Sequence, residues 1–229
     1  MKKIFTIGLL SFSCIFSLSS CNKKETVSKE SYDQMYDHLV DCWNQSLSGI
    51  HFDNVFYGDS RIAGGDFTGA FKGKSVVNLG VGGDKVANLI RRFKLIDTVT
   101  PKRIFLAIGG NDALSSSYNS ETFRAEYSSL LSLFKAKNYD VYIHNVVGLT
   151  IENSKYSKSD IDKNNAKISE VNSIISNLAQ EVSYPLIDIC SKMNKLGTNE
   201  MNPDYSADGV HFNQIGYQVW YNELSPILI

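Results

Sequence analysis

The chain reads as an α/β protein, a three-layer α/β/α sandwich built on a parallel sheet. Short apolar runs alternate with longer amphipathic stretches, and turns rich in Gly, Asp and Asn follow several of the apolar runs. Strand and helix in alternation imply parallel βαβ units, whose ligands gather at the carboxyl ends of the strands. Length agrees: with a leader set aside, about 210 of the 229 residues remain, which one domain with a single large core uses fully.

The elements follow in order. Met1-Lys2-Lys3 and the apolar run from Ile4 to Leu18 form the charged and hydrophobic regions of a secretory signal, too short for a membrane span. Leu18-Ser19-Ser20-Cys21 reads as a bacterial lipobox, so residues 1–20 are expected to be removed and Cys21 to carry lipid. Residues 21–30 then act as a polar tether, and residues 31–229 form the folded domain. Tyr32, Met35, Tyr36, Leu39, Val40 and Trp43 recur at helical steps and predict an amphipathic covering helix. Buried strands are predicted at Val55 to Tyr57, Ser75 to Leu79, Arg103 to Ile108, Asp140 to Val147 and Pro185 to Ile187. Helices are predicted at Lys85 to Leu95, Ser120 to Ala136, Ile161 to Glu181 and Asn213 to Glu223.

Charge narrows the partners. With 23 basic and 24 acidic residues and a net charge of −1, no basic surface for nucleic acid is expected. Of the four cysteines, Cys14 lies in the leader and Cys21 at the lipobox, leaving Cys42 and Cys190 either as a disulfide pair or as two buried free thiols. His38, His51, His144 and His211 are scattered with no metal-ligand spacing, so no metal and no cofactor are expected.

Four blocks carry chemistry. Val55-Phe56-Tyr57 ends abruptly in Gly58-Asp59-Ser60, a turn able to lift a hydroxyl clear of the sheet. Asn78-Leu79-Gly80-Val81-Gly82-Gly83-Asp84, Ala107-Ile108-Gly109-Gly110-Asn111-Asp112 and Asp208-Gly209-Val210-His211 follow downstream. The glycines after the second strand hint at a dinucleotide loop, but position 85 is Lys and the Gly-x-Gly-x-x-Gly spacing is broken. Together the four blocks resemble the SGNH (GDSL-type) hydrolase family, whose Ser, Gly, Asn and His would here be Ser60, Gly83, Asn111 and His211. The resemblance runs from about Asn54 to the end of the chain.

That resemblance implies a flavodoxin-like parallel sheet and a serine hydrolase cleaving carboxylic esters through an acyl-enzyme. Ser60 is the expected nucleophile, His211 its base and Asp208 the carboxylate that orients the base. The backbone N–H groups of Ser60 and Gly83 and the side-chain amide of Asn111 form the expected oxyanion hole. Asp59 and Asp112 are expected to brace their turns. Arg61, where many members place an aliphatic residue, is left between a substrate contact and a salt bridge at the turn. The substrate is a small-molecule, lipid or glycan ester, with short acyl groups favoured because no strongly apolar lid is visible. Alternatives are a lysophospholipase or thioesterase acting on longer chains, and a catalytically idle lipoprotein that binds glycan or protein. The expected location is the bacterial cell envelope, held to the membrane by the lipid on Cys21.

Overall fold

The computed structural model describes residues 29–228 of the chain. The leader, the lipobox with Cys21 and nearly all of the tether lie outside the described residues. By contact density the chain divides at His38 into two units, the second running from Leu39 and holding the whole sheet.

Helix α1 (Lys29–Ser46) begins the described chain, and its last turns bring Trp43 and the following Leu47 against the core of the second unit. Strand β1 (Asn54–Gly58) is an interior strand, second in a five-stranded sheet of order β2-β1-β3-β4-β5. Its companions are β2 (Val76–Gly80), β3 (Arg103–Ala107), β4 (Asp140–His144) and β5 (Leu186–Ile187), all parallel. The short helices α2 (Ser60–Ala63) and α3 (Phe67–Ala70) lie between β1 and β2. Helices α4 (Val86–Arg91) and α5 (Lys94–Val99) lead to β3, and α6 (Gly110–Ala113) and α7 (Ser120–Ala136) to β4. Helix α8 (Lys158–Glu181) returns the chain to β5, after which come α9 (Cys190–Met193) and the closing α10 (Gln214–Leu228).

Alternation along the strands feeds two cores. Val55, Tyr57, Ile104, Leu106, Val141 and Ile143 face one, packed with Leu89, Ile96, Leu130, Phe134 and Ile175 of the helices. Phe56 and Phe105 face the other with Phe67, Trp220 and Leu224, the Phe56 ring stacking on Phe67 and on Phe105. Both faces of the sheet are therefore covered, as a parallel sheet requires.

Three boundaries differ from the sequence expectation. The helix expected over Lys85 to Leu95 is broken into α4 and α5 at Arg92, whose side chain turns inward to bond strand-end carbonyls. The strand expected to reach Val147 stops at His144, because the Asn172 side-chain amide takes over the ladder. Its Oδ1 accepts from Val146 N–H at 2.7 Å and its Nδ2 donates to Val146 C=O at 2.8 Å. The closing helix runs on to Leu228, past Pro226 in its last turn.

Candidate active site

The order β2-β1-β3 places the turn of topology between β1 and β3, and at their carboxyl ends the first and third blocks meet. A Cβ at Gly58 would lie 2.0 Å from the Ala107 carbonyl oxygen, so glycine is what lets the two strands close together there. Asp59 then caps α2, accepting from the Arg61 N–H at 2.9 Å. Its carboxyl is nevertheless pushed up, chiefly by burial. Ser60 opens the helix, with its hydroxyl clear of the sheet and its backbone N–H among those a helix start leaves without an intrahelical partner.

The fourth block reaches that hydroxyl from 151 residues away. His211 Nε2 lies 3.0 Å from Ser60 Oγ, and His211 Nδ1 lies 2.8 Å from Asp208 Oδ2. A carboxylate only accepts, so Nδ1 carries the proton and Nε2 is left to accept from the serine. Asp208 is fixed by its own turn: Oδ1 accepts from His211 N–H at 2.7 Å and from Val210 N–H at 3.0 Å. Partial burial works to raise the Asp208 carboxyl, but these bonds and the imidazole hold it below the usual carboxylate range. Gly209, at φ +85, allows the turn; a Cβ there would lie 2.5 Å from Ser154 Cβ.

The second and third blocks converge beside the serine. Gly83 adopts φ +82, a conformation that glycine takes without strain, and a side chain added at Gly82 would come 3.9 Å from Ser60 Cβ. Asn111, in α6, donates one amide hydrogen to the Asp84 carbonyl at 3.0 Å. Gly110 stands close enough to β1 that a Cβ would lie 3.7 Å from Asp59 Oδ2. Asp112 does not brace its own turn; its Oδ1 accepts from Val86 N–H at 3.3 Å and so ties the third block to the start of α4. Burial pushes the Asp112 carboxyl up to about 7.

Arg61 reaches main-chain carbonyls rather than a salt-bridge partner at the turn. Its guanidinium donates to the Val210 carbonyl from Nη2 and Nε at 2.8 and 3.1 Å, to Val147 C=O at 2.7 Å and to Gly148 C=O at 3.4 Å. It also lies 4.9 Å from the Phe212 ring centre. It is a clamp between the serine helix and the backbone beside His211, with no carboxylate partner in that set. Nothing in a single sequence links position 61 to carbonyls some 86 and 149 residues on.

The remaining candidates fall away from the site. His51 is exposed, bonded to Thr100 and Asp53 before β1. His144 is buried in β4, with Nδ1 donating to the Leu106 carbonyl at 3.1 Å, and burial pushes its pKa down to about 4. His38 lies on α1. Cys42 and Cys190 form no disulfide. Cys42 is exposed, while Cys190 donates to the Val146 carbonyl and its thiol is pushed up to about 12, mainly by burial. Among the described residues no three His, Cys, Asp or Glu side chains gather to hold a metal ion.

Residues 56–219 match the model of the GDSL-like lipase/acylhydrolase family. The chain belongs to that family. It is accordingly an ester hydrolase, and its fold recurs in solved members. A GDSL-like lipase from Bacteroides thetaiotaomicron is 21% identical, with 84% of this chain and 96% of that one aligned at a TM-score of 0.72. The lipase/acylhydrolase from Enterococcus faecalis is 21% identical over 77% of this chain and 95% of that one, at 0.63. An acetylxylan esterase from Geobacillus stearothermophilus is 15% identical over 79% and 94%, at 0.62. A curated relative, the N-acylneuraminate cytidylyltransferase of Streptococcus agalactiae, is 24% identical over 211 residues; the chain spans 45% of its length.

Proposed function

We propose that this chain removes short acyl groups, acetyl foremost, from hydroxyls of carbohydrate, with Ser60, His211 and Asp208 as a proton-transfer triad. The observation that carries the reading is the continuous hydrogen-bonded line from Ser60 Oγ through both imidazole nitrogens to Asp208 Oδ2. As Oγ attacks the ester carbonyl, its proton passes to His211 Nε2 and the Oγ–C bond forms. The carbonyl oxygen becomes an oxyanion facing the Ser60 and Gly83 N–H groups and the Asn111 side-chain amide. Collapse expels the alcohol, which takes the proton from His211 and leaves acetyl-Ser60. Water, deprotonated by the same imidazole, then releases acetate and restores the serine.

The sugar ester is supported by structural relatives that are acetylxylan esterases. The curated relative named for N-acylneuraminate points to carbohydrate as well. The lipobox reading stands beside this proposal: lipid on Cys21 would hold the enzyme at a membrane surface of the cell envelope. A substrate panel tests the function, comparing 4-nitrophenyl esters of two to twelve carbons with O-acetylated xylan and O-acetylated N-acylneuraminate. Highest kcat/KM on an acetylated sugar is expected; a preference for the longest acyl chain would overturn the assignment. Loss of fatty-acid labelling on Cys21→Ala in a bacterial host tests the anchor, and continued labelling would overturn it.

A further inference from the structure

We infer that Arg92, which touches no substrate, is a positioning residue that sets the three oxyanion donors in place through the buried carboxylate of Asp84; the inference rests on the oxyanion hole proposed above. The Arg92 and Asp84 side chains are both 0% exposed. Arg92 Nε and Nη2 lie 2.9 and 2.8 Å from Asp84 Oδ2. The rest of the guanidinium reaches the strand ends: Nη1 donates to Leu79 C=O at 2.7 Å and Nη2 to Gly58 C=O at 3.0 Å. Tyr57 lies beneath, its ring centre 4.3 Å from the guanidinium carbon.

Two of these contacts, at Gly58 and at Asp84, lead to the proposed oxyanion donors. Gly58 precedes Asp59 and Ser60, so its carbonyl fixes where β1 gives way to the serine N–H. Asp84 follows Gly83, so the carboxylate anchors the peptide that bears the second donor. The Asp84 carbonyl accepts from Asn111 Nδ2, which orients the third. One planar cation thus joins the first two blocks directly and the third through the Asp84 carbonyl, and a guanidinium does this because its donors diverge in a fixed plane.

Stability alone does not account for the pair. A buried ion pair of this kind is often replaced by apolar residues without loss, because desolvation offsets the attraction. Here it also interrupts a helix, since α4 ends at Arg91 and α5 starts at Lys94 to let Arg92 turn inward. Such an arrangement is explained by where it holds the backbone.

The test is a double-mutant cycle on 4-nitrophenyl acetate with Arg92→Lys, Asn111→Ala and the pair, beside Ser60→Ala as the blank. Lysine keeps the charge on Asp84 but lacks the planar fork. Asn111→Ala is expected to lower kcat by about 100-fold, the usual loss for one oxyanion donor. Arg92→Lys should lower kcat by roughly 10-fold or more with KM changed less than about 2-fold, and should cost less in the Asn111→Ala background because one of the three donors it orients is already gone. Equal losses in both backgrounds, or an unchanged kcat, would overturn the inference. If Arg92→Lys is recovered unfolded, Asp84→Asn decides by the same criteria. An Asn111→Ala variant with wild-type kcat would instead remove the oxyanion hole itself, which separates failure of that reading from failure of this one.

Discussion

On the relay side of the site the His211 and Asp208 side chains are 42% and 52% exposed and bond across three residues of chain; on the oxyanion side Asp84 and Arg92 are 0% exposed and join strands, loop and helix. Under the proposed mechanism the relay would exchange protons with alcohol and water, and exposure suits that. An exposed pair adds little to stability. The proposed oxyanion donors would have to stay still while charge develops on the substrate, which a buried brace would favour. Each side has its arginine: Arg61 clamps the backbone beside His211, and Arg92 holds the loop of Gly83. Relay substitutions should therefore remove turnover and spare the fold, whereas changes on the buried side should couple the two.

The strongest break in the comparison is Ser60→Ala, for which kcat on an activated acetyl ester should fall on the order of 10⁴ or more with the melting temperature unmoved. Near-wild-type turnover would dissolve the relay. Asp208→Asn comes next, at roughly 10² to 10³ in kcat, because the amide no longer fixes the imidazole tautomer that accepts the serine proton. A loss appearing in KM alone would detach Asp208 from the relay. Arg61→Leu should lower kcat by about 10-fold and also lower the denaturation midpoint, since its loss leaves the Val210, Val147 and Gly148 carbonyls unpaired. Unchanged stability would show that water replaces the clamp without cost.

The smallest effect on turnover is expected at Asp112, where the sharper readout is stability against pH. Burial raises this carboxyl from 3.8 to about 7, so between those values the folded chain holds a proton that the unfolded chain has released. Its contribution is fully present below about pH 4 and is lost as pH rises through about 7. Asp112→Asn keeps an oxygen for the Val86 N–H and removes the titration. Urea unfolding should show the variant more stable than wild type by up to about 4 kcal/mol at pH 8, and nearly equal to it at pH 4. Equal differences at both pH values would refute the assignment.

The same contrast governs what the sequence discloses. The five strands were legible because each is a short apolar run closed by turn residues, and α7 because its apolar positions keep helical spacing over Ser120–Ala136. The blocks that hold Ser60, Gly83, Asn111 and His211, which the fold brings together, were legible because each has its own local pattern. Arg92 was not, because its partners Gly58 and Asp84 lie in other blocks, and inside a helical pattern an arginine reads as a solvated residue. Arg61 was noticed as unusual, yet its partners are main-chain carbonyls, which carry no residue signature. The early end of β4 was hidden for the same reason, since the group that replaces the ladder is the side chain of Asn172 in a distant helix.

That asparagine has a consequence for how such a molecule can diversify. By closing the hydrogen bonds at Val146 from a helix, it seals the register of β4 independently of the chain that follows. The chain rejoins the site where Thr150 N–H donates to the Gly209 carbonyl at 3.0 Å, and then runs on to α8. The stretch between Ile151 and Ser157 is thereby bounded by the Thr150–Gly209 bond and the start of α8, with Ile151 and Tyr156 packed on the core, so its exposed positions Glu152, Asn153 and Lys155 can vary without shifting a strand. Substrate preference would then be tuned by that stretch, beside the histidine loop, while the sheet that aligns the reacting groups stays as it is.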